Sequence, residues 1–205
     1  MPINKKRLSE ILSWVLHPIV LPLVFTLLIL SGDYYINSFL RPEAYRIIIV
    51  AVIIFTLMIP AAIFTVSRYL GIIESFDMVS KLERLFAITV IGLSSFFCRK
   101  ILSGFELPSY YTDFLTIIII GSALALLISL FQKFSLHVFG WSILFFSLIW
   151  YAVMFQSFDI VLIPITAILA GVVGTARLGC SAHKPAELYI GFGVGFLPVL
   201  ILWFL

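Results

Sequence analysis

The sequence predicts an all-α integral membrane protein, a single transmembrane domain over residues 1–205 built as a helical bundle of six or seven spans. Three observations predict it. Hydrophobic residues make up 62% of the chain and charged ones 11%, with a mean hydropathy of +1.19, whereas a soluble domain carries about a quarter of its residues as Asp, Glu, Lys and Arg. The apolar residues gather into runs at 11–31, 47–67, 85–103, 114–131, 138–155, 160–176 and 188–205, each near the roughly 20 residues that a helix needs to cross hydrocarbon. The connections Gly32 to Arg46, Arg68 to Arg84, Ser103 to Asp113, Gln132 to His137, Gln156 to Asp159 and Arg177 to Glu187 hold nearly all the charges, as expected when charge is expelled from the bilayer core.

The first run follows Lys5-Lys6-Arg7. It is too long for the apolar part of a secretory signal and no small-x-small cleavage site follows, so it is expected to be the first membrane helix. Pro18 and Pro22 within it, and Pro60 in the second run, each remove a backbone donor and are expected to bend their helices. His17, between Leu16 and Pro18, is expected to be an interfacial, structural histidine. The seventh run holds Gly191, Gly193 and Gly195, and the G-x-x-x-G of Gly191 and Gly195 is expected to let another helix approach closely.

Several function classes drop out at this level. A net charge of +3 is modest and scattered, without the basic run that a nucleic-acid surface needs. Cys98 and Cys180 lie in or beside apolar segments without metal-ligand spacing and read as packing residues.

With seven spans, the connections 68–84, 132–137 and 177–187 each follow an even-numbered helix, so all three open on the face of the N-terminus. They contain the residues that look chemical. Arg177-Leu-Gly-Cys-Ser-Ala-His183-Lys184-Pro-Ala-Glu187 packs an Arg, a His, a Lys and a Glu between two membrane helices, where each charge would cost about 2.5 to 3.5 kcal/mol at a helix centre. Pro185 suits the first turn of the last helix, and Glu187 would share that turn and reach back to His183. A carboxylate on one imidazole nitrogen leaves the other as a base or nucleophile. A basic surface loop with a capping glutamate is the plainer alternative.

Lys133-Phe134-Ser135-Leu136-His137 places a hydroxyl and an imidazole at the start of a helix, where free backbone N–H groups can cradle an anion; solvated boundary residues are the alternative. Asp77-Met-Val-Ser-Lys81-Leu-Glu83-Arg84 precedes the third span, and it also reads as an interfacial loop with snorkelling basic residues. Together the three clusters supply histidines, an acid beside one of them, and the Arg and Lys groups that suit a phosphate.

This pattern resembles the type 2 phosphatidic acid phosphatase superfamily, whose three motifs read K-x6-R-P, P-S-G-H and S-R-x5-H-x3-D. The third is matched by Ala176-Arg177, five residues, His183, three residues and Glu187; the second in part by Phe134-Ser135-Leu136-His137, with Gly140 soon after. In the first, Arg84 stands for the arginine, Leu85 replaces the proline, Asp77 stands where lysine is expected, and Lys81 offers a charge nearer the arginine. The likeness covers residues 77–195, in the family's motif order, and is to its short membrane-embedded variants.

The resemblance implies a lipid phosphate phosphatase that needs neither metal nor other cofactor. In it His183 attacks phosphorus to form a phosphohistidine, Glu187 orients His183, and His137 protonates the leaving oxygen. Arg84, Arg177 and Ser135 would hold phosphoryl oxygens, with Lys81 as a further candidate. The implied partner is an amphipathic lipid phosphate in the bilayer, such as phosphatidic acid, phosphatidylglycerol phosphate or a polyprenyl diphosphate, and the expected location is a bacterial cytoplasmic membrane. The alternative is a non-catalytic homologue that binds an anionic lipid or passes an anion through the same basic cavity.

The motif face carries nine Lys and Arg against four on the other, which by the positive-inside rule makes it cytoplasmic. Five of the nine are candidate site residues, however, and without them the count is four against four. The family's habit of working on the outer face then leaves the orientation open.

Overall fold

The computed structural model describes residues 4–32, 37, 40–78, 80–105, 107, 109–155 and 161–205. Among these, every regular element is helical. Seven helices are long and apolar enough to cross a membrane: Lys5–Ser31, Pro42–Tyr69, Lys81–Phe105, Tyr110–Ser129, Leu136–Phe155, Leu162–Gly179 and Pro185–Trp203. The chain is thus an integral membrane protein of the all-α class, with seven spans. The expected connection at 156–159, the first residue of the run at 160, parts of the connections 32–46 and 103–113, and residue 79 of the third cluster lie outside the described residues.

In chain order the helices are α1 (Lys5–Val15), α2 (Leu21–Ser31), α3 (Pro42–Val52), α4 (Ile59–Tyr69), α5 (Lys81–Leu102), α6 (Tyr110–Ser129), α7 (Leu136–Phe155), α8 (Leu162–Gly179) and α9 (Pro185–Trp203). Prolines explain the two interruptions. Pro18 disfavours α geometry at His17, so α1 stops at Val15 and a 3₁₀ turn, Pro18–Val20, precedes α2. His17 is extended, with φ −66° and ψ 131°, and its Nδ1 accepts the Ile19 N–H at 3.2 Å as the cap of that turn. In the second span the expected bend is a π turn over Ile53–Met58. The ring of Pro60 cannot sit against the carbonyl four residues back, and the Ile59 N–H donates instead to Ile54, five residues back.

Contacts group the chain into two compact units: Pro22–Gln132, and Met1–Leu21 together with Lys133–Leu205. In the first, α5 packs mainly on α6, and α3 and α4 pack on α5. A capping box starts α5: Ser80 Oγ accepts the Glu83 N–H at 3.2 Å and Glu83 Oε2 accepts the Ser80 N–H at 2.9 Å. Glu83 Oε1 also accepts the Glu74 N–H at 2.6 Å, so this carboxylate fixes the loop before the helix. At the end of α2, Asn37 Nδ2 donates to the carbonyls of Ile29 and Gly32, both at 2.8 Å, and Tyr111 donates to Asn37 Oδ1 at 2.8 Å.

In the other unit α7 packs on both α8 and α9, and α1 packs on α8. The α7–α9 approach needs the expected small residues. A Cβ at Gly191 would lie 2.8 Å from the Ser135 carbonyl oxygen, and one at Gly195 would lie 2.6 Å from Ser142 Cβ and Oγ. Ser142 also donates to the Phe192 carbonyl across this contact at 2.6 Å. Gly193 faces open space. Helix α1 is amphipathic: Ser13 is buried, while Leu8, Ile11, Trp14 and Val15 are exposed.

Candidate active site

The candidate site is built where α7 and α9 begin and α8 ends. Helix α8 closes with Arg177 in its last turn, the position where a cation meets the negative end of the helix dipole. The chain then folds back tightly: the Ser181 N–H donates to Leu178 at 2.9 Å and the Ala182 N–H to Arg177 at 3.2 Å, with Ser181 in a left-handed conformation at φ 55°. Lys184 is extended, and Pro185 opens α9 with Glu187 in its first turn. That geometry brings Glu187 one helical turn from His183, and His183 Nδ1 and Glu187 Oε2 are 2.6 Å apart.

A carboxylate this close holds the proton on Nδ1 and leaves Nε2 with its lone pair outward. Burial pushes His183 below the ordinary value of 6.5, and the charges of Arg177 and Lys133 push the same way, while the Glu187 hydrogen bond and charge oppose them. Burial thus favours the neutral ring, the form in which a nitrogen can attack phosphorus.

The start of α7 is pinned against this loop. The Ser135 N–H donates to the Glu187 carbonyl at 3.1 Å. Lys133 Nζ donates to the Ala182 carbonyl at 3.2 Å and stands 3.8 Å from Glu187 Oε2. His137, on the first turn of α7, is within electrostatic reach of His183, Arg177 and His17, and its ring hydrogen-bonds the backbone carbonyl of Ser13. Arg177 is almost wholly buried, at 4% exposure. Five of the seven residues expected in the site, His137, Ser135, Arg177, His183 and Glu187, thus belong to one compact unit.

Family models, curated proteins and solved structures yield no match for this chain. What the site can do therefore rests on its own chemistry.

Two expected phosphate ligands have other work. Ser135 is fully buried, and its Oγ accepts the Val138 N–H at 3.4 Å as the cap of α7. Lys81 Nζ donates to the Leu130 carbonyl at 2.7 Å, closing the end of α6. Lys81 and Arg84 stand at the start of α5 in the Pro22–Gln132 unit, where Arg84 is buried.

Sequence reasoning missed two residues. Lys133 was visible two positions before Ser135, but only the fold shows that it pairs with Glu187. His17 was expected to be an interfacial, structural histidine, and nothing local signalled its partner. Its ring meets that of His137 edge to face, with centroids 4.9 Å apart and an interplanar angle of 81°.

Proposed function

We propose that this chain is a membrane-embedded phosphatase that removes phosphate from an amphipathic lipid phosphate or polyprenyl diphosphate through a phosphohistidine on His183, as in the type 2 phosphatidic acid phosphatase superfamily. The observation that carries the reading is the 2.6 Å contact of Glu187 with His183 Nδ1 beside a buried Arg177.

In the proposed reaction Nε2 of His183 forms a bond to phosphorus as the bond from phosphorus to the lipid oxygen breaks. That oxygen takes a proton from the imidazolium form of His137, which becomes a neutral imidazole with its remaining N–H on the Ser13 carbonyl. Water then attacks the phosphohistidine, returns a proton to His137 and releases inorganic phosphate. Glu187 stabilises the positive charge that His183 acquires, and Arg177 and Lys133 supply positive charge for the phosphoryl oxygens, since phosphoryl transfer is catalysed mainly by positioning and charge neutralisation. The reading uses neither Ser135 nor Lys81 as a ligand, and it rests on no contact of Arg84. On the same reading the membrane is a bacterial cytoplasmic membrane, and phosphatidic acid, phosphatidylglycerol phosphate and polyprenyl diphosphate are the substrates to try.

The test is phosphate release from these three lipids by purified protein in EDTA, with His183→Ala alongside and acid-labile phosphate trapped on the protein during turnover. Release by wild type, its loss in His183→Ala, and a phosphohistidine at His183 are expected. Full activity in His183→Ala would remove the mechanism. Tight lipid phosphate binding without turnover would replace it with the non-catalytic anion-binding role.

A further inference from the structure

We infer that His17, at the break between α1 and the 3₁₀ turn, is a positioning residue for His137, so that the N-terminal segment completes the acid side of the site; this rests on the proposed role of His137 as proton donor. Two contacts from one short stretch reach the same ring. The Ser13 carbonyl accepts a hydrogen bond from His137, and the His17 ring packs edge to face on it at 4.9 Å. The Trp141 Nε1–H, one helical turn beyond His137, donates to the Leu16 carbonyl at 2.9 Å. Gly140 completes the seat, since a Cβ there would lie 2.7 Å from Pro18 Cβ. The stretch 13–18 is thus fitted closely to the first turns of α7, and two of these contacts, from Ser13 and His17, reach the His137 ring itself.

The chemistry asks for such a clamp. A proton donor contributes only when it is held within hydrogen-bond reach of the leaving oxygen, so the His137 ring has to be fixed as well as the pinned helix start that carries it. His17 is itself held: its Nδ1 accepts the Ile19 N–H, which fixes the ring plane and puts its neutral-form proton on Nε2. A fixed imidazole edge to face with a second imidazole sets the rotation of that second ring, and the bond to Ser13 sets its tilt. Proline at 18 makes the arrangement durable, because it forces His17 out of helix geometry.

The two jobs of His17, capping and packing, separate in one substitution. Asparagine is a strong cap, so His17→Asn keeps the acceptor for Ile19 while removing the ring. Two amphiphiles of equal tail length are compared: dodecyl phosphate, whose alkoxide must be protonated to leave, and a dodecyl-substituted nitrophenyl phosphate, whose phenolate leaves unaided. General acid catalysis contributes about 10²- to 10⁴-fold. Loss of alignment in His17→Asn is therefore expected to lower kcat on the alkyl ester by about tenfold or more, with KM unchanged and the aryl ester affected less than about threefold. His137→Ala should show the same pattern more strongly. Equal losses on both esters, or a lowered unfolding midpoint in detergent accounting for the loss, would mean that His17 is only a structural cap, and wild-type rates on both would likewise overturn the inference. Absence of turnover by wild type would sink the parent reading as well, which distinguishes the two failures.

Discussion

Replacing Glu187 by Gln tests the centre of the proposed mechanism with the least change of shape. Glu187 Oε2 lies 2.6 Å from His183 Nδ1, and the pair is nearly out of solvent, with side-chain exposures of 12% and 8%. A hydrogen bond to a charged group contributes about 1.5–3 kcal/mol and a neutral one about 0.5–1.5 kcal/mol, so the substitution removes roughly 1–2 kcal/mol. That loss falls on the transition state, where His183 turns cationic, and at about 1.4 kcal/mol per decade it lowers kcat about 5- to 30-fold. A larger fall would show that the Gln amide donates to Nδ1 and leaves the proton on Nε2, the tautomer that cannot attack. The pH profile gives an independent sign. His183 must be neutral, and it sits below its ordinary value of 6.5 chiefly through burial, with Glu187 opposing. The acid limb of wild-type activity is then set by that lowered value, and activity is lost as pH falls through it, while His137, which must carry the proton it gives, sets the alkaline limb. Without the carboxylate the value drops further, so the acid limb of Glu187→Gln moves to lower pH. The assay is phosphate release from the preferred lipid between pH 4 and 8, and a variant within twofold of wild type on the plateau, or an acid limb displaced upward, would refute the dyad.

Arg177→Lys keeps the charge but loses the planar fork that matches two phosphoryl oxygens; one lost charge-assisted bond of about 1.5–3 kcal/mol predicts a fall in kcat/KM of about 10- to 100-fold, and undiminished kcat/KM would remove Arg177 from the site. Alanine at the three glycines of α9 should separate packing from propensity. Gly191→Ala and Gly195→Ala push a methyl to 2.8 Å from the Ser135 carbonyl oxygen and to 2.6 Å from Ser142, costing about 1–3 kcal/mol of overpacking each. Gly193→Ala meets nothing and should gain up to about 1 kcal/mol of helix propensity; unfolding midpoints of the three in one detergent check the order, and a destabilised Gly193→Ala would contradict it.

The seven spans were legible because hydrocarbon leaves a long helix little choice of composition. Their ends were not, since a first turn is made of polar caps that hydropathy discards. Lys81 and Glu83 belong to α5 although both lie outside the apolar runs, whereas Pro185 and Glu187 fall, as expected, in the first turn of α9. The His183–Glu187 pair was legible for a local reason: once Pro185 opens a helix, residues on either side of it are one turn apart. The break at His17 was half legible, since Pro18 announced an interruption but nothing announced its partner. That partner, His137, is reached through the packing of the Pro18–Val20 turn directly on α7, a long-range fact with no counterpart in spacing. Ser135, read for its chemistry, also sits where a helix needs a cap: its buried Oγ accepts the Val138 N–H, a common use of serine at that position.

The choice between catalysis and mere anion binding turns on the charge state of one ring. Around the loop between α8 and α9 stand two basic side chains, Arg177 and Lys133, and one carboxylate, Glu187. The first turns of α7 and α9 add the positive ends of two helix dipoles. A site of that balance attracts a phosphate whether or not it reacts, so affinity alone is a weak discriminator. A pure anion site would gain further from an imidazolium at position 183, and it would have no use for a carboxylate close to the anion. The structure does the reverse: burial keeps His183 neutral, and Glu187 fixes its proton on Nδ1 at 2.6 Å. That arrangement weakens anion binding and suits Nε2 to act as a nucleophile, which is what the proposed phosphohistidine requires and what trapping of phosphate on His183 tests.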